Sequence, residues 1–417
     1  MATEDARYRQ SSQYRLWSFS PTQLDAKRET TNALARAMIS ERLLLSSSSS
    51  SSLPNSNNPS AATSNANTPD PDGGGPSLPE FLTPAEESLL LTFYTSELLR
   101  AGDHAEMSDE MKATAAALFR RFYITNSIMT YPPQEMSIVA LFFGCKAEGA
   151  FPRITDFMEK FGRERPEEIL AGEFLLCQGI RFAIDVKHPF RALRGAVMEL
   201  RSFGDIDPSR IDNAEFHARE ILRFSPLITD AYFHYTPSQI MMAALSLADR
   251  GLAERLIQST FHYVAPPSSG GDTPMANNGD ASKEDATKGS ESSSTQAAIV
   301  GTYIRDKVLG AIEACRDMLS KELPERREHW TSKAVIKSQI QPIRKKLRKC
   351  CDPDRSNLVE LQRRRREQAL RKADSEDEDN PDGDRAEMDA AVFGGDLAQN
   401  NNTKRRKVVE DPFGGPL

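Results

Sequence analysis

This chain of 417 residues is poor in the residue types that build metal and redox sites. Its five cysteines, Cys145, Cys177, Cys315, Cys350 and Cys351, include no CxxC pair. Their number is odd and their neighbours are apolar and helix-forming. That excludes a disulfide framework or zinc site in favour of reduced thiols in a cytosolic or nuclear protein. The six histidines are scattered, with no HExxH or similar pair. No metal and no cofactor is expected. No apolar run reaches the ~18 residues needed to span a bilayer. The first residues are polar and charged, unlike a signal peptide. A soluble, intracellular protein with no membrane partner is expected. A general excess of basic charge is also missing: 53 Lys and Arg stand against 60 Asp and Glu, a net charge of −7. Any nucleic-acid contact would therefore have to be local.

What is present is a helical protein diluted by loose segments. The length allows two domains, while an apolar fraction of 39% beside 27% charged residues is low for a compact core. Residues 22–45 read as one helix after Pro21. An unbroken serine run, Ser46 to Ser52, then leads into Asn, Pro and Gly as far as Pro79. Such a stretch cannot bury enough apolar surface to offset its ordering entropy, so disorder is expected over 46–79. Order resumes at Thr83-Pro84-Ala85-Glu86, a capping box with proline at the first helical position. Helices are expected to about Arg100, from Ser108 through Phe122, around 153–160 and over 166–181.

Between these, Ile138 to Phe143 is apolar on all sides, which places that helix inside a bundle. The second half repeats the logic. Residues 208–224 read as a helix, and Thr236-Pro237-Ser238-Gln239 is another capping box, opening the apolar run Ile240 to Leu245. Tyr131–Lys146 and Tyr235–Arg250 align without gaps at an offset of 104 residues, consistent with duplication of a helical unit. Residues 265–296 form a second polar insertion, followed by helices over 297–319 and 330–349, the latter extended by 355–372. No strand pattern competes, so the fold class is all-α. The expected organisation is an N-terminal segment and helix (1–45), a disordered insertion (46–79), a first helical box (80–185), a second (186–329) interrupted at 265–296, basic helices (330–372) and a disordered tail (373–417).

Specific strings then point to a family. Leu118-Phe119-Arg120-Arg121-Phe122-Tyr123-Ile124-Thr125-Asn126-Ser127 resembles the second helix of a cyclin box. Phe143-Gly144-Cys145-Lys146 resembles the end of the third, where cyclins carry a characteristic lysine. Gly172-Glu173-Phe174-Leu175-Leu176 resembles the fifth, where they carry a glutamate. Ser11-Ser12-Gln13 with Trp17-Ser18-Phe19-Ser20, and Leu227 to Tyr232 with Tyr235 to Ile240, are similar to the cyclin H branch of that family. The resemblance covers about 1–45, 80–262 and 297–350. After the lysine the family commonly has two acidic residues, whereas this chain reads Ala147-Glu148-Gly149-Ala150-Phe151. Helix 86–99 lacks the Met-Arg-Ala-Ile-Leu patch with which cell-cycle cyclins dock substrates.

The resemblance implies two tandem five-helix cyclin boxes. It implies a non-catalytic subunit that activates the cyclin-dependent kinase of the CDK-activating kinase, also the kinase module of transcription factor TFIIH. The implied substrates are the RNA polymerase II C-terminal repeats and other cyclin-dependent kinases. A RING-finger assembly factor and the TFIIH core are the implied further partners. The chain has no glycine-rich phosphate loop, HRD or DFG string, so it supplies no kinase chemistry itself. Carried over from the family, Lys146 and Glu173 pair and meet the kinase. Read from the residues alone, Lys146 is equally a helix-end cation and Glu173 a surface acid. Leu141, Phe143, Leu176 and Phe182 are expected in the core; Phe151 and Phe182 are also candidates for the rim of the kinase contact. Helix 22–45 is a candidate second contact or simply packs on its own box.

Residues 331–372 hold fourteen Lys and Arg against four Asp and Glu. Arg363, Arg364, Arg365 and Arg366, and Lys404, Arg405, Arg406 and Lys407, are nuclear-import candidates, so the nucleus is the expected location. No aromatics interleave them, and direct nucleic-acid binding is not expected. Ser375, before Glu376-Asp377-Glu378-Asp379, is a phosphorylation candidate. Two alternatives remain. One is a transcriptional cyclin with a different kinase. The other is a TFIIB-like cyclin-fold DNA-binding factor, which would bring a zinc ribbon and basic boxes.

Overall fold

The computed structural model describes residues 4–50, 78–261 and 291–352, together with 359–361, 363, 364, 367, 368 and 371. Every regular element among the described residues is helical. The chain divides into two units, Met1–Ser356 and Asn357–Leu417. In the second, the described residues are helical and carry local pairs: Arg363 bonds Glu360 at 3.1 Å, and Arg364 reaches the same carboxylate at 3.3 Å.

The first unit opens with α1 (Glu4–Gln10), α2 (Ser12–Trp17) and the long α3 (Pro21–Ser50). The α3 start is capped from both sides. Gln23 N–H donates to Ser20 Oγ at 3.2 Å, and Ser20 N–H to Gln23 Oε1 at 3.0 Å. The helix continues through the first five serines of the run, past the expected end at 45, because serine is tolerated at the frayed end of an established helix. The remainder of that insertion lies outside the described residues.

Next come α4 (Pro84–His104), α5 (Asp109–Thr125), α6 (Pro133–Ala147), α7 (Ile154–Glu159) and α8 (Pro166–Gly179). The Thr83 capping box forms as the sequence demands, at 3.2 Å and 2.8 Å. Helix α6 is the buried one. Met136, Val139, Ala140, Leu141, Phe142 and Phe143 are enclosed as α6 packs against α4, α5 and α8. Gly144 allows this closeness: a Cβ there would stand 2.9 Å from the Met111 carbonyl oxygen.

The second half contains α9 (Pro189–Ser202), α10 (Pro208–Leu222), the single turns α11 (Ser225–Ile228) and α12 (Ala231–His234), α13 (Pro237–Ala248), α14 (Arg250–Phe261) and α15 (Glu291–Ser320). Helix α13 is its buried member, among α9, α10 and α15. The alignment of the two buried helices breaks at its last residue. Lys146 sits in the last turn of α6, whereas Asp249 ends α13 and Arg250 begins α14, paired with Glu254 at 2.8 Å. Helix α15 starts at Glu291, six residues before the expected 297 and inside the expected insertion; residues 265–290 are outside the described set.

Helices α9 and α14 escaped the sequence reading. Helix α9 carries its signal plainly: proline at the first position, then Phe190, Leu193, Val197 and Leu200 on one buried face.

The single helix expected over 330–349 is broken. It comprises a 3-10 turn at Pro324–Arg326, α16 (Arg327–Thr331), α17 (Lys333–Val335), a π-turn at Ile336–Ile340 and α18 (Gln341–Cys350). Ser332 is extended and separates α16 from α17. The wide turn accommodates Pro342, which has no N–H and whose ring displaces the carbonyl one turn back. This segment returns to the first half. Lys346 pairs with Glu80 and Glu86 at 2.6 Å and 2.9 Å, Asp352 N–H donates to the Met129 carbonyl at 2.9 Å, and Asp352 ion-pairs with Arg42.

Candidate functional site

Lys146 and Glu173 are brought together. Lys146 lies in the last turn of α6, and its Nζ donates to Glu173 Oε1, on α8, at 2.5 Å. The two helices come close because residue 172 is glycine. A Cβ there would overlap the Val139 side chain at 2.5 Å. Lys146 also stands over the Phe142 ring, 5.3 Å from its centroid, one turn back on its own helix. The lysine is about one-third exposed (35%) and the glutamate largely covered (14%). The pair is thus oriented by its surroundings yet reachable from outside. One helical turn beyond Glu173, burial and the Glu173 charge push the Cys177 thiol up to about 11, so it stays protonated. All five cysteines are free thiols.

Two exposed aromatics belong to the loops that follow these helices. Phe151, five residues after Lys146, is 76% exposed. Phe182, just past α8, is 60% exposed, which corrects its expected place in the core; Leu141, Phe143 and Leu176 are buried as expected. Phe182 is outside because the chain turns sharply there. Arg181 and Phe182 both take left-handed backbone, at φ +56° and +55°. Each such non-glycine residue costs about 1 kcal/mol. The turn is held by Arg121, buried on α5, which donates to the carbonyls of Ala183 at 3.0 Å and Asp185 at 3.3 Å. Paired left-handed residues that push a phenylalanine into solvent are the kind of strain that accompanies a working surface. The sequence reading missed Phe142, Gly172 and Arg121. A small residue immediately before Glu173 was the available signal.

The N-terminal segment ties both halves together. Gln13 Oε1 accepts from the Lys187 N–H at 2.6 Å, and the Phe19 N–H donates to the Phe233 carbonyl at 2.8 Å. Thr31 donates to the Ile124 carbonyl at 2.7 Å. Helix α3 packs on α4 and α5 of the first half and reaches Asp230 of the second through Arg28, while Leu34 and Met38 remain outward. Of the basic candidates, Arg363 and Arg364 lie on the helical stretch described above. Arg365, Arg366, Lys404, Arg405, Arg406 and Lys407, and also Ser375, lie outside the described residues.

Comparison with known proteins fits this geometry. The cyclin C-terminal domain family matches residues 188–320. The chain is 30% identical over 268 residues to cyclin CCL1 of Saccharomyces cerevisiae, covering 62% of each protein. It is 29% identical over 181 residues to cyclin-H of Xenopus laevis, covering 40% of this chain and 54% of that one. The chain thus spans between half and two thirds of these relatives. A chain in the solved CAK complex of Chaetomium thermophilum, bound to ATP-gamma-S, is 66% identical, with a TM-score of 0.71 over 89% of this chain and 97% of that one. A helical chain with a lysine in the last turn of one buried helix paired to a glutamate in the middle of the next, and with these relatives over most of its described length, belongs to the cyclin family.

Proposed function

We propose that this chain is the regulatory cyclin of a CDK-activating kinase, the kinase that also serves TFIIH. It binds the cyclin-dependent kinase subunit and switches it on, and phosphoryl transfer takes place on the partner. The observation that carries this reading is the Lys146–Glu173 pair, its lysine one-third exposed and its glutamate largely covered, with exposed Phe151 and Phe182 on the adjoining loops. The 66% identity to a chain of a CAK complex supports it.

The role is positional. A protein kinase is active when its β3 lysine pairs with the glutamate on its αC helix. A rigid surface that binds only the inward position of that helix shifts the equilibrium. Moving it from 1:99 to 99:1 takes about 5.5 kcal/mol of differential binding. Lys146 and Glu173 offer a fixed cation and anion for backbone groups of that helix, and Phe151 and Phe182 offer apolar area. Outward-facing Leu34 and Met38 make α3 a second contact. The resulting kinase phosphorylates RNA polymerase II C-terminal repeats and other cyclin-dependent kinases. A RING-finger factor and the TFIIH core complete the assembly in the nucleus.

The test is co-expression with the TFIIH-type kinase subunit from the same source, followed by assay on an RNA polymerase II repeat peptide. Co-purification with activation is expected. A chain that neither binds nor activates that kinase removes the assignment.

A further inference from the structure

The turn that ends α6 sets the direction of Lys146, and it is pinned from the far side of the molecule. The N–H groups of Glu148, Gly149 and Ala150 return to the carbonyls of Gly144, Lys146 and Cys145 at 3.2, 3.1 and 2.9 Å. Gly149 supplies the left-handed residue, at φ +80°. The Glu148 side chain turns inward, and its carboxylate accepts from the Thr114 hydroxyl on α5 at 2.5 Å.

The protons along the chain beyond Thr114 follow from counting. Thr114 has one proton, and it goes to Glu148, because a carboxylate only accepts. Thr114 Oγ1, 2.7 Å from His188 Nε2, must therefore accept there, so Nε2 carries the imidazole proton. His188 Nδ1 is then an acceptor, and the Tyr232 hydroxyl donates to it at 2.9 Å. The order is Tyr232 to His188 to Thr114 to Glu148, each of the first three giving one proton to the next and every link running the same way.

The surroundings keep the imidazole neutral. Burial lowers His188 to about 3, helped by the positive charges of Arg121 on α5 and Lys187 beside it. The Glu148 carboxylate, 3.9 Å from Nε2, is the nearby opposing charge. The Tyr232 hydroxyl stays protonated, since burial raises it. The four residues lie on α12, at the N-terminal cap of α9, on α5 and at the C-terminal cap of α6.

We propose that this one-way hydrogen-bond chain makes Thr114 and His188 positioning residues for the kinase anchor, transmitting the placement of the second cyclin box to the end of α6 and to Lys146. The inference rests on the proposed function, and the experiment separates the two. Full-length wild type, Thr114→Val and Thr114→Ser are made with and without Lys146→Ala. Kinase affinity, thermal stability and amide exchange at residues 148–150 are measured for each. Valine keeps the shape and removes both hydrogen bonds, while serine keeps them.

Thr114→Val is expected to weaken kinase binding about tenfold, the usual size of coupling within one hydrogen-bond network. It is also expected to speed exchange at 148–150 in the free protein. Thr114→Ser should match wild type. In the Lys146→Ala background, Thr114→Val should lower thermal stability as before but weaken binding no further. Equal weakening in both backgrounds, or unchanged affinity and exchange, overturns the inference. If Thr114→Val does not fold, Glu148→Ala on the partly exposed cap is read the same way. A wild type that does not bind the kinase removes the function; exchange at 148–150 then still decides whether the chain orders the turn.

Discussion

Arg28 and Asp230, 202 residues apart, are joined by two hydrogen bonds of 3.0 and 2.6 Å. Arg120 donates to the same carboxylate at 2.6 Å and to the Ile228 carbonyl at 3.0 Å. The N-terminal helix, the first box and the second box thus meet at one acid. Burial alone would raise the Asp230 carboxyl, but Arg120 and Arg28 override it and hold it at about 2.

Asp230 therefore stabilises the fold by an amount that depends on pH. Its folded value lies below the ordinary 3.8, so the contribution is complete above about pH 4 and is lost as the pH falls through 2. Asp230→Ala leaves two arginines facing a partly buried site without their anion. It should destabilise the protein by about 3 kcal/mol in urea unfolding at neutral pH. It should also flatten the loss of stability between pH 4 and 2 relative to wild type.

His188 acts in a different window. The unfolded chain takes up a proton near 6.5, while the folded chain resists it down to about 3. Stability is therefore full above pH 6.5 and falls below it by about 1.4 kcal/mol per pH unit for this one proton. Thermal scans from pH 7.5 to 5 should show that slope in wild type and less of it in His188→Gln. Gln keeps one donor and one acceptor and has no basic nitrogen. Parallel slopes would mean that the imidazole is not held neutral.

The fold was legible where local chemistry dominates. Both capping boxes, the prolines at first helical positions and the all-apolar runs of α6 and α13 told where helices begin and which are enclosed. Lys146 and Glu173 were readable through the family strings around them. Phe182 was not, because its exposure follows from two left-handed residues in a turn held by the Arg121–Ala183 contact, which spans 62 residues of sequence and which no local pattern encodes. The break at Ser332 was equally hidden, since nothing near it but Pro342 speaks against a continuous helix. Nor did spacing hint that Thr114 and His188 meet, 74 residues apart.

Gly172 sets the distance between α6 and α8. Gly172→Ala introduces a methyl group 2.5 Å from Val139. Overpacking of that kind costs about 1–3 kcal/mol and should part the two helices. Kinase affinity should fall further than the loss of stability explains. Val139→Ala, which empties the space, should recover part of it in the double variant.

Phe182 separates stability from binding. Phe182→Gly removes an exposed ring and the steric penalty of φ +55°, so the variant should be about as stable as wild type or up to 1 kcal/mol more. It should nevertheless bind the kinase more weakly. Phe151→Ala, on the other loop, should also weaken binding with little change in melting temperature.

The most direct measurement is the affinity of the kinase subunit for wild type, Lys146→Ala, Glu173→Ala and the double variant, with melting temperature recorded for each. The lysine of this pair stays one-third exposed, so the pair adds only about 1 kcal/mol to folding and all four should melt within a few degrees of one another. Each single variant should lose at least about tenfold in affinity, as expected for central residues of an interface, and kinase activation should fall with it. The double variant should lose little more than either single one, since the two residues act as a unit. Variants that bind and activate as wild type does, at unchanged melting temperature, would contradict the anchor.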